Sequence, residues 1–276
     1  MPIFFSVPAL SVFSDPIYKA NVRAELVSDV SSVAPAEVFW VGLQMNMDDG
    51  WHTYWINSGD SGLPTKIEWD LPEGFTAGET RWPYPKRFDY ADGLAGYGYE
   101  GEVLLLTPIT VVGDLTAGEQ YYITARVNWL SCREICVPGK ADLSMTMGVG
   151  FDNLRVHEDI RKFFDLERSK WPQEDQAGRI SVLANTEMFI ILVASDAAMD
   201  DEIVEMSFFP YRNDIIQHAA IQTFEQDEHM YQLTIPRTGI SEEPVQQMQG
   251  VLVFDAVRQN EKTRHSLLVD VPVEKM

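Results

Sequence analysis

Apolar residues recur at alternate positions through the first half of the chain. Between 18 and 30, Ala20, Val22, Ala24 and Leu26 alternate with polar residues, the period of a half-buried strand. In 37–47 the set Val38, Trp40, Gly42 faces the set Phe39, Val41, Leu43, so the centre is apolar on both faces, as in a strand inside a sandwich. Segment 66–71 alternates through Ile67, Trp69 and Leu71, and 102–112, 119–129 and 140–149 supply three more strands. Trp82-Pro-Tyr-Pro85 must be extended, because each proline fixes its own φ and biases its predecessor away from the helical region. The stretch 88–101, with four glycines among Tyr90, Tyr97 and Tyr99, reads as a long loop.

The second half begins with a change of period. Asp152 or Asn153 can cap a helix running to about Ser169, with Val156, Ile160, Phe163 and Phe164 on one face and Pro172 beyond its end. Residues 173–178 are polar and read as a linker, after which strands recur at 179–194, 202–209, 219–224, 230–235, 250–256 and 265–273. The prediction is an all-β chain. An arm over 1–17 leads into a first β domain over 18–151, a connecting helix and linker over 152–178, and a second β-sandwich over 179–276. The arm lacks a basic start, yet it is apolar and ends in Ala9-Leu10-Ser11, which fits either a signal-peptide remnant or a disordered or strand-forming N-terminal arm.

Composition narrows the function classes. With 45% hydrophobic and 11% aromatic residues the chain has ample material for packed interiors. A net charge of −21 argues against nucleic acid and anionic membrane surfaces, whose affinity comes mainly from Lys and Arg. The same charge either solvates the surface or steers basic partners toward it. No run approaches the roughly 20 apolar residues of a membrane-spanning helix.

The chemistry concentrates in Asn128-Trp-Leu-Ser-Cys-Arg-Glu-Ile-Cys-Val-Pro-Gly-Lys140, which holds both cysteines of the chain, Cys132 and Cys136. Residues four apart can close a disulfide locally, but a five-residue loop stabilises a fold by only about 2 kcal/mol in the chain-entropy view. So short a bridge is a weak staple for a chain that can bury a large core, which favours exchange chemistry over stapling. A structural bridge and free or metal-bound thiols are the other readings. Structural zinc is disfavoured, since no second cysteine pair or His-x3-His completes a shell. Trp51, Tyr54 and Trp55 form the densest aromatic patch; such residues pack cores, with a glycan-stacking cleft as the functional alternative. His52 reads as a satisfied polar residue unless the fold brings it to the cysteines. His218, His229 and His265 have no ligand spacing.

These residues resemble the N-terminal periplasmic domain of the DsbD-type transmembrane thiol-disulfide reductases, and in particular the ScsB-like branch linked to copper tolerance. The resemblance rests on Asp49-Gly-Trp-His-Thr-Tyr-Trp55, Asn57-Ser-Gly-Asp-Ser-Gly-Leu-Pro64, Trp82-Pro-Tyr-Pro85, Tyr97-Gly-Tyr99 and Trp129-Leu-Ser-Cys-Arg-Glu-Ile-Cys-Val-Pro-Gly139, in that order. It implies an immunoglobulin-like sandwich in the periplasm whose Cys132 and Cys136 cycle between dithiol and disulfide. Electrons would come from a membrane-linked thioredoxin-like domain and pass to periplasmic protein partners. Cys136 would engage the partner and Cys132 would resolve the mixed disulfide. His52, Tyr54 and Tyr97 would line the site, Asp92, Gly93 and Leu94 would fall in its protective loop, and Arg133 and Glu134 would set opposing charges beside the thiols. No cofactor is expected, because the sulfurs carry the electrons. The competing expectation is a non-enzymatic binding module with a permanent disulfide, or a copper site using Cys132, Cys136 and His52 as soft ligands. The C-x3-C spacing is shorter than in the classical DsbD domain.

Overall fold

The computed structural model describes residues 12–91, 93–150, 158–194, 202–227, 230–239 and 244–276. The expected arm up to residue 11, the helix cap at 152 or 153, Val156, His229 and Asp92 lie outside the described residues. The rest is almost entirely β, with one helix among the described residues, Glu158–Arg168. Contacts divide the chain into two compact units. The first comprises 1–53, 65–82 and 100–169; the second comprises 54–64, 83–99 and 170–276. The units therefore interleave in sequence, with two segments of the first half of the chain counted in the second unit.

In the first unit, Ile17–Lys19, Val22–Ser28, Val38–Met47, Glu102–Val111 and Phe75–Ala77 form an antiparallel sheet in that order. The facing sheet is built on the hairpin of Gln120–Cys132 with Cys136–Val149, flanked by Ser32–Val33 and Lys66–Asp70. The alternation read from the sequence lies between these sheets. Val22, Ala24 and Leu26, with Phe39, Val41 and Leu43, meet Ile123, Ala125 and Val127 and Ala141, Leu143 and Met145, and all are buried. This is the immunoglobulin-like sandwich.

Two expectations for this half needed correction. The run 18–30 is two strands, because Ala20 and Asn21 both adopt positive φ, 51° and 58°, and turn the chain back on itself. Consecutive positive-φ residues make the two-residue hairpin turn whose twist matches the flanking strands, usually a role for Asn-Gly. The glycine-rich stretch 88–101 contains strands rather than a long loop: Lys86–Asp89 pairs with Ala95–Glu100. Gly96 is there because the Tyr90 ring lies against the strand, so that a Cβ at Gly96 would sit 2.3 Å from the tyrosine hydroxyl oxygen. Glycine within a strand marks such a close approach rather than flexibility.

The second unit holds the eight-stranded sheet, in which Glu202–Pro210, Gln247–Arg258, Glu261–Lys275, Ile180–Ala184, Met188–Ala194, Met230–Pro236 and Thr223–Gln226 follow one another. Gln173–Glu174, expected in the linker, pairs parallel with Leu267–Leu268 as its eighth strand. Residues 219–222 are not strand as expected; the carbonyls of Ala219 and Ala220 accept hydrogen bonds from Arg87 at 2.9 Å each. The interior includes Phe189, Ile191, Phe208, Leu233, Leu252 and Val269. His218 is buried with both ring nitrogens engaged, Nδ1 3.0 Å from the Tyr97 hydroxyl and Nε2 2.8 Å from the Asn213 carbonyl.

Asp255 is a buried carboxylate in this unit, 2% exposed. Arg264 grips it with two hydrogen bonds of 2.6 and 2.8 Å, and Lys262 adds an ion pair of 2.7 Å. The Arg264 hydrogen bond is the main reason its pKa falls to about 2, against the opposing effect of burial. A folded-state value depressed below the unfolded one stabilises the protein above the unfolded value, and this stability is lost as pH falls through the folded one. The pair is thus worth about 2 kcal/mol at neutral pH. Asp255→Asn should lower the neutral-pH unfolding free energy by about that amount and flatten the acid limb between about pH 4 and 2, as read by urea melts across that range. Equal losses at pH 7 and pH 2 would contradict this account.

Candidate functional site

The site stands at the tip of the long hairpin. Its register runs from Gln120 opposite Gly148 to Cys132 opposite Cys136, so the cysteines are the last residue of one strand and the first of the next. Both strands reach further toward the tip than the pattern 119–129 and 140–149 predicts, leaving a loop of only Arg133, Glu134 and Ile135. Arg133 N–H donates to the Ile135 carbonyl at 3.2 Å across it. The two sulfurs are joined, with Cα atoms 4.1 Å apart. Directly opposed residues of an antiparallel pair come closest of all cross-strand neighbours, which is what lets so short a segment close a bridge.

The two cysteines occupy different environments. Cys132 is 3% exposed, whereas Cys136 is exposed, like the three loop residues that precede it. Beneath them Trp129 lies across Gly139, its register partner; a Cβ on Gly139 would fall 2.1 Å from the indole. The glycine thus admits the ring that covers the hairpin just below its tip. Ser131 Oγ donates to the Ala20 carbonyl at 2.5 Å, tying the strand end to the turn at Ala20 and Asn21.

A second turn completes the surroundings. Trp51 N–H donates to the Asp48 carbonyl at 2.9 Å, with Gly50 at φ 78°. Asp48 is itself held, accepting hydrogen bonds from the Tyr18 hydroxyl and from Asn21 Nδ2 at 3.2 Å. The Arg133 side chain lies beside Gly50, where a Cβ would be 3.4 Å from Nε. Glu134 is exposed in the loop. The turn feeds directly into His52, whose register partner is Cys132. His52 is 6% exposed; burial pushes its pKa below the usual histidine value, while the Glu100 carboxylate opposes that shift.

Of the residues singled out in the sequence, His52, Arg133 and Glu134 belong to the same unit as the cysteines. Tyr54, Gly93, Leu94 and Tyr97 are counted in the second unit. Tyr54 and Tyr97 are buried there, and burial raises both phenol pKa values. Gly93, at φ 71°, and the exposed Leu94 form the turn between Lys86–Asp89 and Ala95–Glu100. Trp55 is buried as well, so the aromatic patch supplies core rather than a stacking surface at these two positions, Tyr54 and Trp55. Among the described residues no cluster of three or more His, Cys, Asp or Glu could hold a metal ion. Ser131, Trp129 and Gly139 shape the tip; the sequence marked them as part of the cysteine motif but not for the contacts they make.

The wedge of Trp129 over Gly139 can be tested directly. Gly139→Ala should displace the indole and cost about 1–3 kcal/mol, the usual range for overpacking, seen as a lowered melting temperature. Unchanged stability would mean that Trp129 does not bear on this strand.

Residues 22–147 match the family described as thiol:disulfide interchange protein DsbD, N-terminal. The fold is similar to the N-terminal periplasmic domain of ScsB from Proteus mirabilis, at 14% identity and a TM-score of 0.68, covering 96% of this chain and 100% of that one. A protein of unknown function from Porphyromonas gingivalis W83 aligns over 92% of this chain and 99% of that one at 10% identity, but its TM-score of 0.26 carries no structural argument. No curated protein matches the chain. Residues 22–147, which include the cysteine pair joined at the hairpin tip, form a DsbD-type N-terminal domain.

Proposed function

We propose that this protein is a periplasmic thiol:disulfide exchange module that relays electrons through Cys132 and Cys136. The donor is a membrane-linked thioredoxin-like domain and the acceptors are periplasmic proteins. The observation that carries the reading is the asymmetry of the pair: one cysteine exposed at a hairpin tip, its partner buried beside it. A bridge over so short a loop adds only about 2 kcal/mol to a fold whose sheets are already closed by long ladders. Its position serves access better than stability.

In the reducing half-cycle a donor thiolate attacks Cys136 Sγ, the Cys132–Cys136 bond breaks, and its electron pair passes to Cys132. The donor's second thiol then displaces Cys136, leaving a dithiol here and a disulfide on the donor. In the delivering half-cycle Cys136 thiolate attacks the acceptor disulfide. Cys132 then closes on Cys136 and releases the acceptor as a dithiol. Arg133 favours a thiolate at the tip and Glu134 opposes it. Among the described residues no helix is long and apolar enough to cross a membrane.

The reduction potential decides between this reading and a permanent bridge. Equilibration against glutathione or dithiothreitol buffers, with thiols counted by mass, should give a value of about −270 to −180 mV. A value below about −300 mV would make the disulfide structural. Cys132→Ala should accumulate a mixed disulfide with a thioredoxin-like partner, whereas Cys136→Ala should form none; normal transfer by Cys136→Ala would sink the mechanism.

A further inference from the structure

Cys132 sits between two register partners. On one side it opposes Cys136, and on the other it opposes His52, the first residue of His52–Gly59. Residues directly opposed across neighbouring strands share a face of the sheet, with Cβ atoms about 4.5–5.5 Å apart. Cys136, Cys132 and His52 therefore form one lateral row over three strands, with the buried sulfur in the middle. We infer that His52 is the proton partner of Cys132, taking its thiol proton when Cys132 resolves a mixed disulfide and returning a proton when the Cys132–Cys136 bond is reduced. The inference rests on the exchange reading proposed above and assigns a chemical role within it.

The need for such a group follows from burial. Cys132 is the leaving sulfur in one direction and the attacking sulfur in the other, so it must carry thiolate charge transiently at a position almost closed to water. Burial raises the pKa of a thiol and makes an unassisted thiolate costly. An imidazole beside it removes that cost. In the delivering half-cycle the Cys132 S–H proton passes to a neutral His52 nitrogen. The Cys132 electron pair forms the bond to Cys136 Sγ, the Cys136–acceptor bond breaks, and the acceptor sulfur leaves with the electron pair and takes up a proton from water. In the reverse direction imidazolium protonates the Cys132 thiolate as it departs.

The surroundings of His52 suit an acceptor. Burial keeps it neutral at pH 7, and Glu100 is the carboxylate that supports the protonated form when it arises. On the neighbouring turns Asp48 is engaged by Tyr18 and Asn21, while Asp49, Arg133 and Glu134 are exposed. Exposed Cys136 can exchange its proton with water, so the two half-reactions differ in their demand on His52. That difference makes the role separable from a general effect on folding.

The experiment uses oxidised glutathione as the probe. Mixed with the reduced protein, it reacts first at Cys136 to give a glutathione adduct, which Cys132 then resolves to the internal disulfide. Acid-quenched mass spectrometry follows both steps. His52→Gln, which keeps hydrogen-bonding capacity without an imidazole's basicity, should leave adduct formation within about twofold and slow its resolution on the order of 100-fold, the lower range for general acid–base catalysis. In the unmodified protein the resolution rate should rise with pH through a value below 6.5, the ordinary value for histidine, and this inflection should vanish in His52→Gln, leaving only the ionisation of a thiol that burial holds above its ordinary value of about 8.5. Resolution by His52→Gln at the unmodified rate, or an unmodified protein whose profile lacks the lower inflection, would overturn the assignment of His52 while leaving the exchange function standing. An unmodified protein that forms neither adduct nor internal disulfide would remove the exchange reading and this inference with it.

Discussion

The antiparallel register of the hairpin from Gln120 to Val149 is the constraint on which the site depends. Side chains in a strand alternate between faces, so a slip of one residue would send Cys132 and Cys136 to opposite sides of the sheet. The register is held by buried positions far from the tip. Ile123, Ala125 and Val127 on one strand, and Ala141, Leu143 and Met145 on the other, face the core and would be turned into solvent by any slip. Core packing along the hairpin thereby fixes the geometry of two sulfurs at its end. The same register aligns Trp129 with Gly139, so the indole can lie flat over the neighbouring strand.

The tip is braced by turns as well as by its pairing with the strand His52–Gly59. The turn at Ala20 and Asn21 receives the Ser131 hydroxyl, and Asn21 in turn holds Asp48 at the head of the strand that begins with His52. Hydrogen bonds between turns place His52 and Cys132 side by side, although they are eighty residues apart in the chain. In the second unit a different device holds a long strand pair. Asp255 and Arg264, register partners across Gln247–Arg258 and Glu261–Lys275, form a buried pair whose desolvation cost is offset by two charge-assisted hydrogen bonds. Local pairing of this kind is how a chain of net charge −21 accommodates a carboxylate in its interior.

Period-two alternation made the all-β class legible in the sequence, and 37–47 and 102–112 fell close to the strands Val38–Met47 and Glu102–Val111. The cysteines were legible because both lie in one short motif. Other features were hidden for physical reasons. Ala20 and Asn21 turn the chain without glycine, so the alternating run 18–30 concealed a reversal. Gly96 counted as flexibility in the sequence, whereas in the fold it makes room for the Tyr90 ring within the strand Ala95–Glu100. The loop between the two strands looked longer because Ser131, Pro138 and Gly139 break the apolar pattern while still pairing in the ladder. The adjacency of His52 to Cys132 is a property of register, which no local pattern encodes.

The strand His52–Gly59 begins in one compact unit and ends in the other, and the segment 83–99 also belongs to the second unit despite preceding the cysteines. Each unit is thus assembled from three separate stretches of chain. During synthesis the second unit cannot finish its interior from its last hundred residues alone; Tyr97, the partner of His218, has left the ribosome long before His218 is made. Neither unit corresponds to a single continuous block of coding sequence. A single crossover anywhere between residues 54 and 169 would divide both units at once, so recombination within that stretch leaves neither unit intact.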